Sequence, residues 1–158
     1  MLLVQPAFGD AVYRKDVYHL ELGLPSFSSK IALGPSLVSA MEAVLARRFR
    51  TVIVRRGDGL SVAGPVPEGR HVVIVPSVAR SQFQPPGRID PQVTAALALG
   101  YALYDARGTR LTEGEVAGEG RARLQIIRES YPRAMTRALE ALVVNLDQEF
   151  ARVSRELP

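Results

Sequence analysis

Alternating apolar and polar positions predict several β-strands in the first half of the chain. In residues 17–24, the side chains of Tyr18, Leu20, Leu22 and Leu24 share one face. Residues 25–30 are polar and predict a turn. Residues 51–56 are short and β-branched, and residues 71–75 are almost entirely Val and Ile. Because this last segment is apolar on both faces, it predicts a central strand.

The clearest alternation covers residues 93–104. One face carries bulky residues such as Leu97 and Leu99, while the other is nearly flat, with Ala96, Ala98, Gly100 and Ala102. Residues 105–108 (Asp-Ala-Arg-Gly) fit a type I turn, so residues 109–117 are expected to return as an antiparallel strand. The glycines Gly114, Gly118 and Gly120 predict a flexible connection from strand to helix.

Two segments show helical periodicity. After Pro35, apolar residues recur at Leu37, Met41, Val44, Leu45 and Phe49. A longer apolar stripe runs from residue 135 to residue 153, and Arg152 and Glu156 near its end are spaced to pair across one turn. Ser130 suits an N-cap and Pro132 a first turn, with an earlier helical piece over residues 124–129 as the alternative start. The order of elements predicts a single domain over residues 1–158. Its expected fold class is α/β (α+β): a two-layer sandwich with a mostly antiparallel sheet and two helices on one face.

The amino-acid composition excludes some classes of function and disfavours others. Of 158 residues, 47% are hydrophobic and 23% charged, as in globular domains, and the chain has no cysteine, which excludes disulfides and thiolate chemistry. The net charge is +4, and all basic residues except Lys15 and Lys30 are arginine. This mild charge disfavours a nucleic-acid partner. No apolar run reaches the length needed to cross a bilayer.

No motif predicts catalysis. The two histidines, His19 and His71, have no neighbouring acid at ligand spacing. Glu113, Glu115 and Glu119 alternate on one strand, which suits a cation site in principle and a solvated outer face better. We therefore expect no enzymatic activity, no catalytic residue, no cofactor and no metal site.

Three features are candidate partner-binding sites. One is the basic group Arg47, Arg48, Arg50, Arg55 and Arg56, whose alternative role is to interact with a helix C-terminus. Another is a loop with Phe83 as an exposed aromatic residue beside Pro85 and Pro86. The third is the flat row Ala96, Ala98, Gly100 and Ala102, either open to a partner or buried under the helices.

Four segments carry a resemblance to a known family: LVSAMEAVLARRFRTVIV (37–54), VVIVPSV (72–78), LALGYALYDARG (97–108) and the late helix 134–157. In these segments the chain resembles the small envelope lipoproteins of Gram-negative bacteria, the YajG-like and related transport- or assembly-accessory lipoproteins. The resemblance covers about two thirds of the chain at the level of pattern and carries no catalytic residues.

The resemblance implies a periplasmic domain anchored to the outer membrane by a lipidated cysteine, which this sequence lacks and which we expect upstream of it. It implies a non-enzymatic partner of an envelope protein complex, with lipid and a second copy of the chain as further candidate partners. One alternative is a lipid or acyl-chain carrier with an enclosed apolar cavity between sheet and helices. Another is a cytosolic enzyme or nucleic-acid binder.

Overall fold

The computed structural model describes residues 1–19, 24–58, 72–86, 91–124 and 126–157. The elements follow the order β1 (Leu2–Val4), α1 (Pro6–Gly9), β2 (Val12–His19), β3 (Leu24–Ala32), α2 (Gly34–Ala46), β4 (Val54–Arg56), β5 (Val73–Gln84), β6 (Gln92–Tyr104), β7 (Arg110–Arg123) and α3 (Ile127–Glu156). Five strands form one sheet in the order β4-β1-β5-β6-β7, and β2 pairs with β3 separately. The predicted α+β fold is confirmed.

The five-stranded sheet is antiparallel over most of its area. The ladders β5–β6 and β6–β7 extend along nearly the full length of these strands. β1, which the sequence analysis did not identify, pairs in parallel with both β4 and β5. Its residues Leu2, Leu3 and Val4 are almost fully buried. The expectation of a central strand near residues 71–75 is confirmed, because β5 lies third of five.

The core lies between this sheet and two helices. α2 contributes Leu37, Met41, Val44 and Leu45 to the core, as its periodicity predicts. On β6, every second residue faces the helices and is 3% exposed or less, and these residues are Val93, Ala95, Leu97, Leu99, Tyr101 and Leu103. From α3, the long apolar stripe from Met135 to Val153 packs on them.

α3 lies in direct contact with the backbone of β7. A Cβ built at Gly118 would lie 2.2 Å from the Ala138 carbonyl oxygen, and one at Gly120 would lie 2.2 Å from that of Ala134. The expectation that these glycines form a flexible strand-to-helix connection is wrong. Both lie within β7, where the lack of a side chain lets the helix touch the strand.

α3 also reaches round the outer edge of the sheet. β7 is an edge strand, and its carbonyl groups at Ala117 and Arg121 accept hydrogen bonds from side chains of α3. The Asn145 side-chain amide donates to the Ala117 oxygen over 2.8 Å, and Arg137 donates to the Arg121 oxygen. Part of the edge is therefore already occupied.

Two predicted boundaries in the first half are wrong. Residues 25–30 belong to β3 and form no turn, because they pair with β2 in a ladder from Val12↔Ala32 to His19↔Leu24. Residues 17–24 are accordingly not one strand, since His19 and Leu24 stand opposite each other on antiparallel strands. Residues 20–23 of that predicted strand and His71 lie outside the described residues. Backbone pairing with a distant strand decides these boundaries.

The start of α3 agrees with the earlier of its two predicted starts, within residues 124–129, and not with a start at Ser130. The helix begins at Ile127, so Ser130 lies inside it, and its hydroxyl donates to the Ile126 and Arg123 carbonyl oxygens. The turn between β6 and β7 agrees with the sequence analysis. There, Asp105 Oδ1 accepts hydrogen bonds from the Arg107 and Thr109 amides, and Gly108 takes a φ of 82°. This left-handed conformation favours glycine.

Candidate functional site: the open face of the sheet

The flat row of β6 lies on the sheet face opposite the helices, which we call the open face of β5, β6 and β7. Of the two alternatives for this row, burial under the helices is therefore excluded. Ala96, Gly100 and Ala102 are half-buried there, whereas Ala98 is 1% exposed. Neighbouring positions on β5 and β7, such as Gln82 and Ala117, are exposed.

An ion pair explains why Ala98 is shielded. Arg80 on β5 and Glu115 on β7 approach to 3.8 Å although β6 lies between their strands. Two strand spacings amount to roughly 10 Å, so both side chains must reach across the row on β6. Only small residues beneath them leave room for this crossing.

The three glutamates of β7 all lie on the open face, and each has an arginine partner. Glu113 binds Arg110 at 2.7 Å, Glu119 binds Arg121 at 2.8 Å, and Glu115 pairs with Arg80. All six side chains are more than half exposed. This arrangement agrees with a solvated outer face.

A shallow recess of about 530 Å³ adjoins the row at the end of the sheet near the β6–β7 turn. Ser77 lies close beside Gly100 in its lining, since a Cβ at Gly100 would lie only 2.8 Å from the Ser77 hydroxyl oxygen. The row Val75–Ala102–Glu113 crosses the recess, according to the strand register. Further lining residues are Gln5, Pro76, Ser77, Gly100, Tyr101, Tyr104 and Gly114.

The basic group does not form a single patch. Arg48 donates to Asp147 on α3 over 2.6 Å, and Arg47 approaches the same carboxylate at 3.8 Å, so these two join the end of α2 to α3. Arg55 and Arg56 are consecutive residues of β4 and therefore lie on opposite faces of the sheet. Arg50 is exposed between the two sets.

The expectation of an exposed Phe83 is wrong. Phe83 is 5% exposed and belongs to β5. Its ring packs edge-on against Tyr13, with centroids 5.0 Å apart, and against Tyr131, with centroids 5.1 Å apart. β5 continues to Gln84, well beyond the predicted strand at residues 71–75, and Phe83 lies on its helix-facing side, so it is not part of the candidate surface.

A polar network lies on the helix side, and of its contacts the sequence predicted the Arg152–Glu156 pair alone. The buried Tyr101 donates a hydrogen bond to Glu149, and Arg152 binds Glu149 at 2.7 Å and Glu156 at 2.8 Å. Burial, reinforced by the Glu149 hydrogen bond, raises the pKa of Tyr101. Hydrogen bonds from Arg152 and Tyr101 lower the pKa of Glu149. The spacing of Glu149, Arg152 and Glu156 on one helix was the available signal.

Neither a metal site nor a membrane-spanning helix is found in the described part of the chain. No group of three or more His, Asp or Glu residues there could hold a metal ion. Among the same residues, no helix is long and apolar enough to cross a bilayer. The carrier alternative requires a cavity between sheet and helices, but α3 touches the backbone of β7 at Gly118 and Gly120. An acyl chain does not fit at that contact.

Comparison with known proteins yields similar folds at low identity. No family model and no curated protein matches the chain. A minor lipoprotein from Acinetobacter baumannii is 11% identical, covering 99% of this chain and 89% of that one, with a TM-score of 0.46. Protein XCC0632 from Xanthomonas campestris, described as family-model DUF330, is 14% identical, covering 99% of this chain and 82% of that one, with a TM-score of 0.47. A candidate lipoprotein from Caulobacter crescentus CB15 is 14% identical, covering 78% of this chain and 82% of that one, with a TM-score of 0.45. At TM-scores below 0.5 these similarities carry no argument about function.

Proposed function

We propose that the chain is a non-enzymatic accessory domain of the Gram-negative cell envelope, periplasmic and anchored to the outer membrane, that binds a partner protein of an assembly or transport complex. The support for its location is the resemblance of four segments to envelope lipoproteins. The support for its mode of action is the open face. In the proposed complex, a partner packs on β5, β6 and β7.

The docking proposal rests on the small side chains that β6 presents in the middle of a wide polar face. Ala96, Gly100 and Ala102 retain accessible surface, and each has a glutamate of β7 as its neighbour in the register. An interface of this kind has a closely approachable centre and a polar rim. Glu119 and Arg121 belong to such a rim, whereas the Arg80–Glu115 pair crosses the row itself and must open for a partner to approach it. Both ion pairs can be exchanged for pairs with a partner because they are exposed.

Affinity capture with two matched variants tests this proposal. The purified chain is immobilised and exposed to detergent-solubilised envelope of the native organism, and retained proteins are quantified by mass spectrometry. Ala96→Arg places a large cation at the centre of the open face. Val144→Arg makes a comparable change at a 57% exposed position of α3, away from that face.

We expect an envelope protein to be retained by the wild type and by Val144→Arg, and to be lost with Ala96→Arg. Circular dichroism confirms that both variants are folded. Equal retention by all three proteins would exclude the open face as the docking surface. Retention of cytosolic proteins or nucleic acid alone would refute the envelope function.

A further inference from the structure

We infer that the recess beside the flat row accepts a basic side chain, arginine or lysine, from the partner protein. This inference rests on the proposed function, because its occupant belongs to the docking partner. The recess lies within the open face, between the β5 residues Val75 and Ser77 and the β7 residue Glu113. Its volume of about 530 Å³ is ample for one long side chain.

The charge of the lining selects the occupant. Among the described lining residues, Glu113 is the one that carries a charge, and it is negative. The Gln5 amide, the Ser77 hydroxyl and the Tyr104 hydroxyl add oxygen atoms that accept hydrogen bonds. The recess is therefore an acidic, acceptor-rich depression on a chain whose net charge is +4. A guanidinium or ammonium group complements the charge of Glu113, whereas an anion is repelled by it.

The existing partner of Glu113 does not block this role. Arg110 binds Glu113 three residues further along β7, and the two side chains are 58% and 63% exposed. An ion pair so exposed is weak and exchanges readily with a competing cation. Tyr104 contributes an aromatic ring to the same lining, and aromatic faces attract guanidinium groups.

A titration with a defined probe tests the recess apart from any natural partner. The full ¹⁵N-labelled chain is titrated with Nα-acetyl-arginine methylamide and, in parallel, with the neutral analogue Nα-acetyl-citrulline methylamide. We expect saturable shifts of the Gly100, Ala102 and Gly114 amides with the arginine probe alone. Glu113→Gln should weaken this binding about fivefold or more, because it removes the charge and retains the shape.

Two further variants make the test specific. Glu119→Gln removes a paired glutamate of the same face outside the recess, and it should bind like the wild type. Ala102→Leu fills the recess without changing its charge, and it should abolish the shifts. Equal binding of the citrulline probe, or an unchanged titration in Glu113→Gln, would overturn the inference. Capture that remains sensitive to Ala96→Arg would then still support the proposed function, so the two can fail separately.

Discussion

At Gly118 and Gly120, the absence of a side chain sets the distance between α3 and β7. When a helix packs on a sheet, side chains usually separate the two backbones, but here the backbone of α3 contacts the backbone of β7. Gly114, on the same face, serves a different neighbour: a Cβ there would lie 2.6 Å from the Tyr101 hydroxyl oxygen. Three glycines of one strand thus accommodate a helix at two positions and a phenol at the third.

Gly118→Ala should destabilise the chain strongly. The added methyl group meets backbone atoms of Ala138 and Leu142, which cannot rotate away, so α3 must shift. We expect a loss of about 2–3 kcal/mol of unfolding free energy in urea denaturation, typical of overpacking. Glu119→Ala, next in sequence but on the exposed face, should cost no more than about 1 kcal/mol. Equal effects would show that α3 does not touch β7.

Glu149 should make the stability of the chain depend on pH. Arg152 and Tyr101 lower its folded-state pKa from the ordinary value of 4.5. The folded state therefore gains stability from the carboxylate above pH 4.5 and loses it as the pH falls through the folded-state pKa. Glu149→Gln should cost about 1 kcal/mol at neutral pH and progressively less in acid, measured by urea denaturation from pH 7 to pH 3. Glu140→Gln on the same helix is the control, and a difference independent of pH would contradict the assignment.

At the scale of elements, one carboxylate connects the two helices. Asp147 on α3 accepts a hydrogen bond from Arg48 and approaches Arg47, both at the C-terminal end of α2. These two arginines therefore have a structural role at the end of a helix. This agrees in part with the alternative role predicted for the basic group, which was interaction with a helix C-terminus. Arg50, which has no such position at the helix end, is the better remaining candidate for an external anion.

Asp147→Ala should weaken the association of α2 with α3. The side chain is 24% exposed, so the loss should be about 1–2 kcal/mol of unfolding free energy. Raising the ionic strength should reduce the difference between wild type and variant, because salt screens the pair. Glu140→Ala, an exposed change on α3, serves as the control. An Asp147→Ala effect as small as that of the control would show that the pair contributes nothing.

Periodicity alone predicted the elements that bury one regular face. α2, the stripe of α3 and the strand β6 all agree with the sequence analysis, since each repeats its apolar residues at the spacing of its own geometry. The extent of the candidate surface was harder to predict from the sequence. Phe83 gave no signal of burial, because its neighbours Tyr13 and Tyr131 are distant in sequence. The recess likewise arises from three strands in register, which no single segment encodes.

On the scale of the whole molecule, the two sheets differ in how they are supported. The five-stranded sheet packs on α2 and α3, whereas β2 and β3, among the described strands, pair with each other and with no third strand. Two-stranded hairpins are marginal by themselves, so the base of this one depends on contacts such as Tyr13 with Phe83.

Native-state hydrogen exchange should separate these units. Amides of β5, β6 and α3 should exchange only by global unfolding, and those of β2 and β3 should exchange faster through local opening. Phe83→Leu should accelerate exchange at the base of the hairpin more than at β6, because it removes the ring that Tyr13 contacts. Uniform protection across both sheets would contradict this division.

The hydrogen bonds from Asn145 and Arg137 to the outer carbonyl groups of β7 have a consequence for solubility. A 14-residue edge strand is a template on which strands of other molecules can assemble, in the manner that starts fibrils. With α3 lying along β7 and its side chains occupying two of the acceptor positions, addition of another strand at this edge is hindered. Proteolysis that removes α3 would expose this template, and the truncated chain should polymerise.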